Sequence, residues 1–413
     1  MISPEPLHLW LAQRRVAAAR FPYAVVVDAY QHHGKHFVPD EWTLLLATAR
    51  DRLPEVTGNR RHLAAFLSTV LDKVDGRYDY RTYLALNLLP LPDVDDAPAA
   101  AAKLLARRDR LHAHLLTDLI RFELAATDGT APLPQMRPEP ARTAKRVRHA
   151  LRAAMPTLRR LSLVDTAAHS EPMALARRVI AAVDLDLTPG ERLVLRTSML
   201  PVWTIHDEWM FIRVLQTFEA TFALLAVDLQ EIVNAVHAGR LRLAATRMSA
   251  AATLLRETAP LWSVMATLQP QAFHAFRTYT EGASAIQSRS YKLVESLCRA
   301  PDPSRRDSPA YLSVPDVRAL ILRGQASIDD ALEALAPNGG TGADSALADA
   351  MAEFTAALRQ WRQTHYRLAV RMLGTDQLGT GYTQGVPYLA HARTEPVFRH
   401  RPHDGPTPTG DDP

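Results

Sequence analysis

The chain is predicted to fold as an all-α protein, and three observations lead there. Apolar residues recur at three- and four-residue spacing over long stretches, most consistently across 202–365. Pro98, Pro140 and Pro270 open such stretches, in the first turn that a helix tolerates. Strand content is minimal: Val25-Val26-Val27 is read as one short strand or a buried turn.

Composition bounds the rest. A chain of 413 residues has room for one large helical domain or two fused units. Hydrophobic residues make up 47% and charged residues 22%, as expected of a soluble globular chain. No uninterrupted run of 18 apolar residues suggests a membrane span, and the acidic, proline-bearing N-terminus does not read as a secretory signal. The formal charge of +4 is too small and too dispersed to point to nucleic acid. Its one concentration, Lys145, Arg146, Arg148, Arg152, Arg159 and Arg160, is expected on a surface or subunit-contact helix. A single cysteine, Cys298, rules out an intrachain disulfide and a multi-cysteine metal site, leaving a reducing, cytoplasmic setting as the expectation.

In order along the chain, helices are expected over 9–19, 42–52 and 61–71, the second opened by Asp40 and Glu41 at its positive end. His32, His33 and His36 lie between the first two, but Gly34 interrupts them and an exposed loop is expected there rather than a metal site. A turn leads into a short helix within 78–89, closed by Pro90. Long helices follow over 98–125 and 140–154, joined by a proline-rich loop, and 161–201 mixes short helices with a turn at Pro189-Gly190-Glu191. Next come 202–232 and 240–268, the latter kinked or divided by Pro260. Then come 271–280, 288–298, 314–322, 328–335 and 345–373, and a glycine-rich loop over 374–385. The whole divides into an N-terminal helical extension (1–77), a main helical domain (78–392) and a tail (393–413) expected to be disordered.

Four segments carry chemistry. His365 shares a helical face with Trp361 and Leu368; spacing alone leaves it a packed core histidine or an axial metal donor. His206-Asp207-Glu208 opens an apolar helix, as capping charge would, and Met210 where a second histidine would stand rejects a zincin. Phe273 and Arg277 are four apart on one face, where a guanidinium beside a ring either clamps a carboxylate or forms a surface pair. Gly379-Thr380-Gly381 allows close backbone approach but lacks the lysine of a P-loop and the strand of a dinucleotide fold, so a plain loop also fits.

Taken in order, these segments resemble the tryptophan 2,3-dioxygenase superfamily of haem enzymes. Tyr80-Arg81-Thr82-Tyr83-Leu84 is similar to its N-terminal tyrosine motif, and His206-Asp207-Glu208 with Phe211-Ile212 to its HDE–FI segment. The 273–277 stretch is similar to its carboxylate-binding motif. Ala285-Ile286-Gln287-Ser288 through Glu295 is similar to the FQS–E continuation, and Trp361 to Gly374 with Gly379-Thr380-Gly381 to the proximal helix and loop. The resemblance covers about 202–300 and 357–390, plus the piece near Tyr80, and leaves 90–201 as a long insertion.

The resemblance implies a tryptophan 2,3-dioxygenase-like helical haem fold, with haem b held by His365 as metal ligand and Trp262 packed near it. It implies that Arg277 binds a substrate carboxylate and Thr380 the amino-acid end, and that Phe211 and Phe273 line an indole pocket. It implies too that Tyr80, Tyr83, Leu84 and His206 complete the pocket, the tyrosine motif being open to service in a neighbouring subunit of a homo-oligomer. One departure stands out: Leu215 occupies the position of the family's distal histidine, and leucine neither donates nor accepts a hydrogen bond. That points to a divergent secondary-metabolism member, similar to the haem enzyme of the pyrrolnitrin pathway, oxygenating tryptophan or a tryptophan-derived indole with dioxygen or peroxide. Rearrangement of tryptophan, peroxide-driven aromatic hydroxylation, and a non-catalytic helical partner-binding scaffold are the other readings. Neither nucleic acid nor membrane is expected as a partner.

Overall fold

The computed structural model describes residues 2–14, 16–53, 59–94, 101–164, 171–335, 345–374 and 385–399. Among them there are twenty α-helices and no strand. The nearest thing to a sheet is one isolated bridge, Gln135 to Ile205, where the 128–139 loop pairs with the residue that opens the central helix.

The first helices, α1 (Glu5–Leu11), α2 (Tyr23–His33), α3 (Asp40–Asp51) and α4 (Asn59–Val70), enclose a small core of their own around Trp10, Phe21, Tyr30 and Phe66. The valine triplet is helical, not extended: Val26 and Val27 are inward-facing residues of α2, so burial of that face overrides β-propensity. His32 and His33 close α2, and His36 sits beyond Gly34, 3.6 Å from Glu281. Gly34 is required there, since its φ is +81° and a Cβ would lie 2.6 Å from the Trp203 backbone.

The short α5 (Tyr80–Tyr83), capped by Asp79, leads to α6 (Ala101–Thr127), α7 (Pro140–Arg160), α8 (Pro172–Asp186) and α9 (Pro189–Thr197). Pro189-Gly190-Glu191 is the first turn of α9, held by a capping box between Thr188 and Glu191. The segment read as an insertion is integral to the core: α6 lies along the central helix, α10 (His206–His237), and α7 lies along α6. Arg146 is accordingly not on the surface with Arg148, Arg152 and Arg159. It is fully buried, donating to Glu123 at 3.1 Å and Asp207 at 2.7 Å.

Helix α10 has the length and hydropathy of a membrane span, with 89% of that window buried inside the fold. After it come α11 (Leu241–Arg256) and α12 (Ala259–Met265), divided at Pro260 as the sequence indicates, then α13 (Pro270–Arg277) and α14 (Arg289–Cys298). The short α15 (Pro303–Arg306) and α16 (Pro309–Leu312) precede α17 (Pro315–Leu322) and α18 (Ile328–Leu335). The chain returns along α11 through the long α19 (Ser345–Leu373) and ends in α20 (Val386–Ala392). The described start of the tail is packed, not free: Val397 and Phe398 are buried and Phe398 meets Phe354. The remainder, 400–413, lies outside the described residues.

Candidate functional site

One large cavity opens between α10, α12, α13, α14, α19, α20 and the α5 turn. Counting its open mouth and the solvent there, it spans about 1630 Å³ of space not filled by protein atoms. Its lining is mostly apolar. Helix α10 supplies Phe211, Leu215, Phe218, Glu219 and Phe222, the positions that a 3.6-residue turn places on one face. Phe211 and Leu215 are partly exposed while most of α10 is buried, because that stripe faces open space.

His365 points into this cavity from α19. Its ring stacks on Trp262 of α12 (centroids 5.4 Å apart, 24° between planes) and meets the edge of Trp361 at 5.4 Å. Burial lowers its pKa to about 4, so the imidazole is neutral near pH 7, the form that donates a lone pair to a metal. The wall behind is aromatic throughout: Trp361 contacts Phe218, Phe222 and Trp262, and Tyr291 stacks on it at 5.4 Å. The register of α19 is pinned one turn before His365. Arg362 donates to the Tyr291 hydroxyl (2.8 Å), to Glu295 Oε1 (2.9 Å) and to the Glu395 carbonyl (2.8 Å). Glu295 also accepts from Lys292 and Arg305, and these cations hold it ionised against the cost of burial.

Opposite stand Phe273 and Arg277 of α13. Phe273 meets Phe211 at 5.6 Å, and both rings are partly exposed to the cavity. Arg277 is half-buried, and desolvation lowers its pKa, which favours any anion that shares its environment. Tyr80 and Tyr83 reach the cavity of their own chain, fixed by Gln287 accepting the Tyr80 N–H (2.8 Å) and Glu208 accepting the Tyr83 hydroxyl (3.3 Å).

His365, Trp262, Arg277, Phe211, Phe273, Leu215, Tyr80 and Tyr83 therefore converge on one space. Two expected pocket residues do not. Leu84 is fully buried outside the lining, its carbonyl accepting from Gln216. His206 is buried beneath the start of α10, stacked near Phe122 and 3.4 Å from Glu123, in the charge cluster of Arg146 and Asp207. Thr380 lies outside the described residues. Glu219, Tyr291 and Arg362 were not singled out as site residues. Glu219 had a legible signal, an acid inside an apolar run at four- and eight-residue steps from Leu215 and Phe211.

The residues present fit a haem. The indole Nε1 atoms of Trp262 and Trp361, both beside His365, are buried without a hydrogen-bond partner, donors that a bound group with acceptor atoms would satisfy. Of the cations in the lining, Lys292 and Arg362 are matched by Glu295, while Arg277 and Arg393 stand against one lining carboxylate, Glu219, a positive balance suited to a ligand that brings a carboxylate.

A family model described as tryptophan 2,3-dioxygenase matches residues 196–305, which span α10 to α14 and so hold Phe211, Leu215, Trp262, Phe273 and Arg277 but neither Tyr80 nor His365. Curated relatives extend the match. The tryptophan 2,3-dioxygenase of Anaeromyxobacter dehalogenans is 24% identical over 228 residues, 47% of this chain and 84% of its own length. That of Paraburkholderia phytofirmans is 28% identical over 224 residues, 46% and 73% of the two chains. That of Burkholderia lata is 25% identical over 276 residues, 54% and 88%.

Proposed function

The chain belongs to the tryptophan 2,3-dioxygenase superfamily of haem-dependent oxidoreductases, and from that premise we propose that it oxygenates tryptophan or a tryptophan-derived indole. In this reading His365 ligates haem b and Arg277 holds the substrate carboxylate. The observation that supports it is convergence: a neutral histidine beside two unpartnered tryptophan N–H groups shares one aromatic cavity with a half-buried arginine.

When bound, haem supplies the one-electron and oxygen chemistry. The chain supplies position. The planar guanidinium of Arg277 offers a carboxylate two parallel donors, which fixes the direction of the rest of the substrate. Phe211 and Phe273, in contact with each other, make one apolar wall against which an aromatic ring can lie and from which water is excluded. Thr380 is assigned the amino-acid end of the substrate, and Tyr80 and Tyr83 the far wall. Leu215 moves no proton, so nothing at that position steers the reaction by acid–base chemistry. The indole nitrogen's own electron donation makes C3 nucleophilic, so attack there needs no base. An apolar residue at 215 also favours a second reading, rearrangement or peroxide-dependent hydroxylation of an aromatic amino acid.

Purified protein supplied with haem should show a Soret band at one haem per chain, shifted by tryptophan, and His365→Ala should lose it. A wild-type chain that stays colourless would discard the enzyme in favour of a helical scaffold, and an unchanged Soret band in the variant would discard the ligand assignment. Product mass separates the readings, two added oxygen atoms marking dioxygenation and one marking hydroxylation.

A further inference from the structure

We propose that Glu219 is a positioning residue that sets the hydrogen-bond polarity of the cavity: it takes the hydroxyl proton of Ser288, so that this oxygen faces the cavity as an acceptor and selects an aromatic amino acid whose ring carries an N–H or O–H donor. This rests on the functional reading above and deepens it, because it assigns to the far end of the cavity a selection that Leu215 cannot perform.

Glu219 is the only carboxylate among the described residues that line the cavity, and it lies one turn beyond Leu215 on the same face of α10. It is 2% exposed. Ser288 donates its hydroxyl to Glu219 Oε1 at 2.5 Å, while Oε2 is buried with no hydrogen-bond partner assigned among the described residues. Burial raises the Glu219 pKa, and the Ser288 hydroxyl works against that by donating to the ionised form. Ser288 lines the cavity and is held by its backbone surroundings, capping α14 by accepting the Tyr291 N–H at 3.2 Å.

A hydroxyl has one proton and two lone pairs. With the proton spent on Glu219, Ser288 has one lone pair on the Tyr291 N–H and one left. A ligand donor satisfies it; a methylated nitrogen or a bare ring edge leaves it buried and dry, at the cost of an unmade hydrogen bond. The ligand touches Ser288, and Glu219 acts through it.

The test uses two ligand pairs that differ only in a ring donor, L-tryptophan with 1-methyl-L-tryptophan and L-tyrosine with L-phenylalanine, titrated into haem-loaded protein and followed by the Soret shift. The wild type should prefer the donor-bearing member of at least one pair by about tenfold. Glu219→Met should bring that ratio within about twofold, since nothing then takes the Ser288 proton and the hydroxyl is free to turn it toward the cavity. Ser288→Ala should shrink the same ratio with the Soret band retained, and it serves as the test if the methionine variant does not fold. A ratio unchanged in both variants, or a wild type that binds both members of each pair equally, overturns the assignment of Glu219 while leaving the function standing. Failure of the wild type to bind any of the four overturns both.

Discussion

Arg277 is asked to bind charge in a place where burial makes its own charge costly, and a carboxylate delivered by the ligand relieves that cost. Arg277→Met should therefore weaken L-tryptophan binding about tenfold to a hundredfold and leave tryptamine, which lacks the carboxylate, nearly unaffected; equal losses for the two would remove the clamp. The positions of Arg277, Phe273, Phe211 and Leu215 were legible in the sequence because four-residue steps on a helix fix a face without any knowledge of the fold. His206 was not. A histidine beside two acids at a helix start reads as capping or as a site, and its true neighbours, Glu123 and Arg146, come from helices 83 and 60 positions earlier. No local pattern reports which side chains a distant helix will bury.

Elements show the same division. The break between α11 and α12 followed from Pro260, and the start of α13 from Pro270, because proline acts on the backbone directly. The depth of α7 did not follow, since Arg146 sits in a run of basic residues that otherwise faces solvent. Its burial gives a sharp contrast. Arg146→Met strands Glu123 and Asp207 in the core and should cost about 3–5 kcal/mol of stability, whereas Arg148→Met on the exposed face should stay within about 0.5 kcal/mol; thermal melts of the two variants decide it. A second element-level test concerns α9. Burial would raise the pKa of Glu191, but the forked donation of Arg110 and the hydrogen bonds of the Thr188 cap hold it down at about 2. A carboxyl depressed in the folded state stabilises it above the unfolded pKa near 4.5, and that contribution is lost as pH falls toward 2. With its side chain about a quarter exposed, the effect is screened to about 1 kcal/mol. Glu191→Gln should remove this part of the acid-range slope in denaturant melts between pH 5 and 2.5; an identical slope would mean that Glu191 is not linked to folding.

Across the whole molecule, the N-terminal helices and the cavity are joined by few but buried contacts. Lys35 is 4% exposed, bonds Asp72 at 2.8 Å and reaches the carbonyls of Thr69 and Thr82. Thr82 lies between Tyr80 and Tyr83, so this lysine ties the first four helices to the tyrosine wall. Lys35→Met leaves Asp72 uncompensated and should destabilise the chain by about 3 kcal/mol. It should also weaken tryptophan binding and speed proteolytic cleavage near residue 77. Unchanged cleavage and affinity would show the two parts to be independent. No local pattern reports this link: a single lysine in a histidine-rich turn resembles any surface residue until the partner segment is seen to close over it.

The tyrosine wall also fixes a sequence of events. The bond from Tyr80 to Gln287 spans 207 positions, and the stack of His365 on Trp262 joins α19 to α12 across more than a hundred residues. A chain emerging from the ribosome has α10 covered early by α6 and α11, but the face of α11 against which α19 packs stays uncovered until that last long helix has been made. Contacts of such separation form late and slowly, and the exposed stretch invites association with other chains in the interval. The wait for α19 should therefore limit the yield of folded protein, and slower synthesis with chaperones present should raise it.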